Sequence, residues 1–355
     1  MRGTSVALVV LQTWFSIALI AFSISVRAQG KQDDEKVADG NWDLINAEKK
    51  IIHAPHINLG AEAVPLKSTI NSGYVELKPA VTPRGDRLYF SRSVHPLNYG
   101  GVNDDEDIWY ADFDSAAGDW LDPVRMPGFL NNRGPNFITN VSVTGDSIGL
   151  GNTYSLNGKM RDGVSYSVNV KGKWSFPKPI PIQNYYNTSA HGNFFISLRY
   201  GVLISAIERF DSYGGRDLYI SFWNGEYCSE PINMGSIINT EQEEASAHLA
   251  QDGKTLYFAS KGHVGYGGYD IWVTRRLDDT WRNWSQPQNL GPAVNGSLDE
   301  EFFILTHCGQ FAVFSKQVSV HNVDLYKIPT AQLFTPDGLA RIGTQVTTTT
   351  NNNFR

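Results

Sequence analysis

The chain repeats itself, and this constrains its fold more than any other feature. Five turn glycines, Gly85, Gly145, Gly201, Gly253 and Gly309, follow one another at spacings of 60, 56, 52 and 56 residues. The clearest unit reads Glu244-Ala-Ser-Ala, then Asp252-Gly-Lys-Thr-Leu-Tyr-Phe-Ala-Ser260, a Gly265-Tyr-Gly-Gly-Tyr loop, Asp270-Ile-Trp, and Trp284-Ser-Gln-Pro-Gln-Asn-Leu-Gly291. Residues 76–127 keep the same order: Glu76, Arg84-Gly-Asp-Arg-Leu-Tyr-Phe-Ser91, Tyr99-Gly-Gly, Asp107-Ile-Trp and Trp120-Leu-Asp-Pro123. Three weaker copies fill the rest. A period near 56 with several strand-like runs per unit is the mark of a propeller or an array. A second marker runs alongside: Asn71, Asn239 and Asn295 each precede a glutamate, Glu76, Glu244 or Glu300, by five residues. Asn131 keeps the spacing but reaches Asn136, and Asn187 reaches Gly192.

Each unit reads as four antiparallel strands. A D-G-type turn joins the first two, a glycine-rich loop leads to the D-I-W strand, and the proline-bearing strand suits a sheet edge, where a missing N–H costs no ladder bond. The expected fold is therefore all-β, a five-bladed β-propeller of four-stranded blades. The fifth unit stops at Pro329 without its outer strand. Residues 51–60 end in His-Ile-Asn-Leu-Gly60 and resemble Pro287–Gly291, so an N-terminal strand is expected to close the ring. The content of 33 glycines and 12% aromatics fits tight turns and packing between sheets. A net charge of −6 argues against a general nucleic-acid binder.

The units resemble the WD40-like β-propeller repeat of the TolB type, over roughly residues 51–330. Similar repeats occur in Bacteroidetes-type cell-envelope proteins, often followed by an OmpA-like domain, which is not expected here after Pro329. The resemblance implies a binding propeller and supplies no catalytic set. Residues 1–28 read as a secretory signal: Arg2, an apolar run from Val6 to Ile24, and the small-x-small site Val26-Arg27-Ala28. Residues 29–50 are a lead and residues 331–355 a disordered tail. The mature protein is expected to be a soluble monomer, periplasmic, outer-membrane-associated or extracellular. Cys228 and Cys308 read as two separate thiols.

Two carboxylate sets stand out. Glu76, Glu244 and Glu300 begin the innermost strands and could converge at a channel mouth as acid and base on a sugar, although a repeated residue ordinarily does a repeated structural job. Asp107, Asp217, Asp270 and Asp324 read as turn stabilisers. Asp104, Asp105 and Asp107, beside Gly100-Gly101, are weak calcium candidates without the spacing of a calcium loop. The histidines show no zinc-ligand spacing, and no nucleophile-elbow, metalloprotease or phosphate-loop motif is present. Most tryptophans sit at repeat positions and read as packing; Trp223 and Trp281 fall off the pattern and read as hairpin packing. No cofactor is expected. The first functional expectation is a secreted, non-enzymatic scaffold binding a protein or glycan of the cell envelope. The alternative is a glycan-active hydrolase or lyase using inner-strand carboxylates.

Overall fold

A computed structural model describes residues 50–307 and 309–335. The signal peptide, nearly all of the lead, the tail beyond 335 and Cys308 lie outside the described residues. No helix among the described residues is long and apolar enough to cross a membrane.

The structure is all-β, in four-stranded antiparallel groups consistent with a β-propeller. After β1 (Val64–Pro65), the first unit comprises β2 (Val75–Val81), β3 (Arg87–Ser93), β4 (Glu106–Asp114) and the short β5 (Asp119–Trp120) and β6 (Val124–Arg125), both paired with β4. The second holds β7 (Ile138–Val141), β8 (Ser147–Tyr154), β9 (Met160–Val170), β10 (Lys173–Trp174) and β11 (Lys178–Pro179). The third is β12 (Asn193–Ser197), β13 (Val202–Ile207), β14 (Asp217–Phe222) and β15 (Ile232–Asn233). The fourth is β16 (Glu244–Leu249), β17 (Thr255–Ser260), β18 (Asp270–Arg275) and β19 (Gln288–Asn289). The last is β20 (Glu300–Leu305), β21 (Phe311–Ser319) and β22 (Asn322–Pro329). The first strands pack on one another in sequence order, and β20 packs on β2.

The turn chemistry explains the glycines. Gly85, Gly145, Gly201, Gly253 and Gly309 all lie between φ +60° and +76°, a region that costs other residues. In the Tyr-Gly-Gly loops, close approach sets the requirement instead. A Cβ on Gly214 would sit 2.4 Å from the Gln242 carbonyl oxygen, and one on Gly267 2.4 Å from the Ser297 carbonyl carbon. Each loop is pressed against the next unit's entry segment.

The repeated asparagine is an inter-unit clamp. Asn131, Asn239 and Asn295 each accept the backbone N–H and bind the carbonyl of one residue in the preceding unit's third strand, respectively Ile108, Leu218 and Ile271, at 2.7–3.0 Å. Asn71 does the same to Leu325 of the last unit, at 2.8 and 3.0 Å. Beside it, β1 pairs antiparallel with β22, Val64 opposite Lys327 and Pro65 opposite Tyr326.

The outer strand on the last unit is thus Val64–Pro65, a correction to its expected place in 51–60. Residues 52–54 instead run along the fourth unit, with the Asn289 N–H on Ile52 and the Ala54 N–H on the Asn289 carbonyl. The motif likeness misled because Asn71 fixes the register. β19 lies six and seven residues before Asn295, and β1 lies six and seven before Asn71. Residues 331–335, expected within the tail, are ordered: the short helix α1 (Thr330–Leu333) buries Leu333, and Phe334 is buried beside it.

Candidate active site

The structure places Glu76, Glu244 and Glu300 fully buried, each held by its own unit. The Ser72 N–H and hydroxyl bind Glu76 at 3.1 and 2.5 Å, and the Arg92 guanidinium faces it at 3.1 Å. Thr240 binds Glu244 through its N–H and hydroxyl at 2.9 and 2.7 Å, and the Ser260 hydroxyl adds a third bond at 2.7 Å. Glu300 accepts the Gly296 N–H at 2.8 Å and pairs with Lys316 at 3.0 Å. In the second unit Asn136 accepts the Asn132 N–H at 2.6 Å in the same way. These are the contacts of residues that tie a loop to a strand. Burial, only partly offset by these bonds, lifts each of the three carboxyls to about 7.

The aspartates hold the glycine loops. Asp107, Asp217 and Asp270 accept the N–H of Tyr99, Tyr213 and Tyr266 at 2.5–2.8 Å. Asp104 accepts the Gly100 N–H at 2.7 Å, and Arg125 lies 3.3 Å from Asp107. Asp105 stands apart from these bonds and is exposed. Among the described residues no group of three or more histidine, cysteine or acidic side chains is placed to share a metal ion. Trp281 is buried against Trp284, their rings 6.1 Å apart.

The residues next to these repeated positions differ from unit to unit, and they build the site. At or just before the first strand, the N–H of Asn136, Glu244 and Glu300 binds the carbonyl of Glu106, Arg216 and Tyr269, respectively, in the preceding unit. That bond brings the side chains before each aspartate to the entry of the next first strand. Arg216, with its side chain 12% exposed, is fixed by the Tyr269 hydroxyl at 2.7 Å and Asn193 at 3.3 Å, and reaches Glu243 at 3.5 Å. Glu243 also accepts the Tyr269 hydroxyl at 2.5 Å and lies 3.5 Å from Lys261. Lys78 pairs with Glu106 at 2.6 Å, its ammonium 3.9 Å over the Phe137 ring.

Glu301 completes the group. Burial pushes its carboxyl up and Asp299 adds to the rise, against the pull of Arg216, Lys78 and Lys261. Those three cations come from the third, first and fourth units, so Glu301 of the fifth lies where the units converge. Glu243 goes the other way. Burial opposes its charge, but the Tyr269 hydroxyl, Arg216 and Lys261 outweigh this and hold it below the ordinary range. Two carboxyls that both feel the Arg216 charge are thus pushed apart in acidity, the separation that an acid and a base require.

A bulge shapes the inner wall. Lys78, Ser246 and Phe302, at one repeat position, have φ of 54°, 45° and 54°, and pairing in β2, β16 and β20 slips there. Sequence reasoning settled on the recurring glutamates and passed over Glu301, Glu243 and Arg216. The signal was available: at the place of Glu301 the other units carry Leu77, Phe137, Asn193 and Ala245.

No family model and no curated protein matches the chain. Among solved structures it is similar to TolB from Acinetobacter baumannii, at 14% identity and TM-score 0.45, over 75% of this chain and 57% of that one. It therefore spans little more than half of that protein. It is also similar to an α-L-arabinofuranosidase from Podospora anserina, at 12% identity and TM-score 0.48, over 77% of this chain and 98% of that one. A β-fructofuranosidase from Bombyx mori matches at 10% identity and TM-score 0.46, over 76% of this chain and 62% of that one. The first expectation, a non-enzymatic scaffold, is corrected by these findings. It rested on the repeat resemblance alone, and the solved structures to which the chain is similar include several glycoside hydrolases.

Proposed function

We propose that the chain is a glycan-active hydrolase working at the convergence of Glu243, Glu301 and Arg216. The observation that carries this reading is the Arg216–Tyr269–Glu243 cluster, joined at 2.5–3.5 Å, with the carboxyls of Glu243 and Glu301 shifted in opposite directions beside it. Glu301 is the proton donor to the leaving oxygen, Glu243 the ionised partner, and Arg216 pairs with Glu243 while its charge also acts on Glu301. Phe302, partly exposed beside Lys78, offers an apolar face to a sugar ring. The test is release of reducing ends from a panel of plant and bacterial polysaccharides. Glu301→Gln and Glu243→Gln are each expected to cut the rate at least a hundredfold while the fold is kept. Wild-type rates in both variants, or no release from any polysaccharide, would sink the reading.

The ring is read as five blades closed end to end, supported by the Asn71 clamp on Leu325 and by β1 on β22. The protein is further read as secreted to the periplasm or beyond, supported by the apolar run ahead of Val26-Arg27-Ala28. N-terminal sequencing of protein recovered outside the cytoplasm is expected to begin at Gln29. The kinship with OmpA-family envelope proteins rests on the repeat motifs alone.

A further inference from the structure

At the opposite ends of the first strands lies a cavity of about 310 Å³ that the proposed chemistry does not use. A waist lies between it and the polar end. Thr139, Phe195, His248 and Ile304 line both this cavity and a chamber of about 30 Å³ on the other side, next to Lys78 and Phe302. Its walls are mainly apolar, and it extends between the second and third units, to Trp223 and Cys228. The wall there has lost a ring. The repeat position filled by buried Tyr89 and Tyr257 in the first and fourth units is Gly149 in the second, and Gly149 lines the cavity. Thr139 and Asn140 close tightly on its α-carbon, leaving no room there even for a methyl group.

The lining is also uncharged. No acidic residue lines the cavity among the described residues, and its guanidinium, Arg199, is exposed at the rim. Burial holds His248 down to about 3 and lowers His307 as well, so both imidazoles are neutral hydrogen-bonding groups at physiological pH. Burial lifts the Cys228 thiol to about 11, so it too carries no charge. A site of this size with apolar walls and a few polar groups is the usual form of a small-molecule pocket.

We propose that this cavity binds a small, neutral, predominantly apolar molecule, held by the apolar walls with His248 and His307 as its polar contacts. A charged ligand would surrender its hydration for walls that offer no counter-charge at depth.

The full chain is titrated with the neutral fluorophore N-phenyl-1-naphthylamine, read by its emission in apolar surroundings. A saturable one-site rise is expected. Leu198→Asp puts a charge on an exposed rim side chain and is expected to weaken binding at least tenfold. Ser197→Trp, which fills the cavity, should do the same. Val320→Asp, at an exposed apolar residue elsewhere, should match the wild type. A rise that does not saturate overturns the proposal, and so does wild-type affinity in Leu198→Asp. Equal weakening by Val320→Asp overturns it as well, because the probe would then be reading a general surface.

Discussion

Glu244 shows how one residue type takes on a structural job and a pH dependence together. Its hydrogen-bond partners, Thr240 and Ser260, are neutral, and burial, with a smaller push from Asp217, leaves its carboxyl at about 7 against 4.5 when unfolded. The folded state thus holds a proton that the unfolded state has lost between those values. The stabilisation is full below pH 4.5 and is lost as the pH rises through 7, by about 3 kcal/mol for this shift. Glu244→Gln removes the titration while keeping an acceptor for the Thr240 N–H, as Asn136 does in the second unit. Urea unfolding at pH 5 and pH 8 is expected to show a smaller stability difference in the variant than in the wild type. An unchanged difference would count against a buried, protonated Glu244. Glu76 and Glu300 are less clean tests, because each faces a cation whose charge a neutral side chain would strand.

At the scale of the element, the sequence was legible where a residue recurs and opaque where a unit departs. The turn glycines recur in all five units, the Asn clamps in four and the Asp loop-holders in three, because each answers the same geometric demand where it recurs. The first-strand bulge was not visible, since Lys78, Ser246 and Phe302 share no chemistry, only a left-handed backbone. Such a conformation strains any residue but glycine. Ser246→Gly is therefore expected to stabilise the fold, by up to about 1 kcal/mol after glycine's unfolded-state entropy is counted. A Ser246→Ala control keeps the strain but also removes the buried, unpartnered hydroxyl, so glycine should gain more than alanine. The Asn clamp makes the opposite prediction. Asn295→Ala leaves the buried N–H of Ile271 without its acceptor, while the Ile271 carbonyl keeps the Leu290 N–H, a loss of about 1–3 kcal/mol. Denaturant midpoints at constant m-value would check both.

For the whole molecule, the question is how the two ends of the chain meet. The repeats predicted an incomplete last unit and a completing N-terminal strand. They misplaced that strand because a local motif, His56-Ile-Asn-Leu-Gly60, outweighed the count back from Asn71. Physically the count governs, since the clamp on Leu325 sets where the preceding residues can pair. The site was harder to read, because Arg216, Glu243 and Glu301 come from three units and only the assembled units bring them together. If the ends meet as β1 on β22, then joining them covalently should stabilise the fold without disturbing it. Val64 stands directly opposite Lys327, and both side chains are at least partly exposed. Val64→Cys with Lys327→Cys is expected to form a disulfide on oxidation and to add roughly 3–5 kcal/mol, because the bridge closes a loop spanning most of the chain. The gain should vanish on reduction and should be absent when Val64→Cys is paired with Val320→Cys instead. A bridge that fails to form at 64 and 327, or that lowers the unfolding midpoint, would mean that the chain ends do not pair in this register.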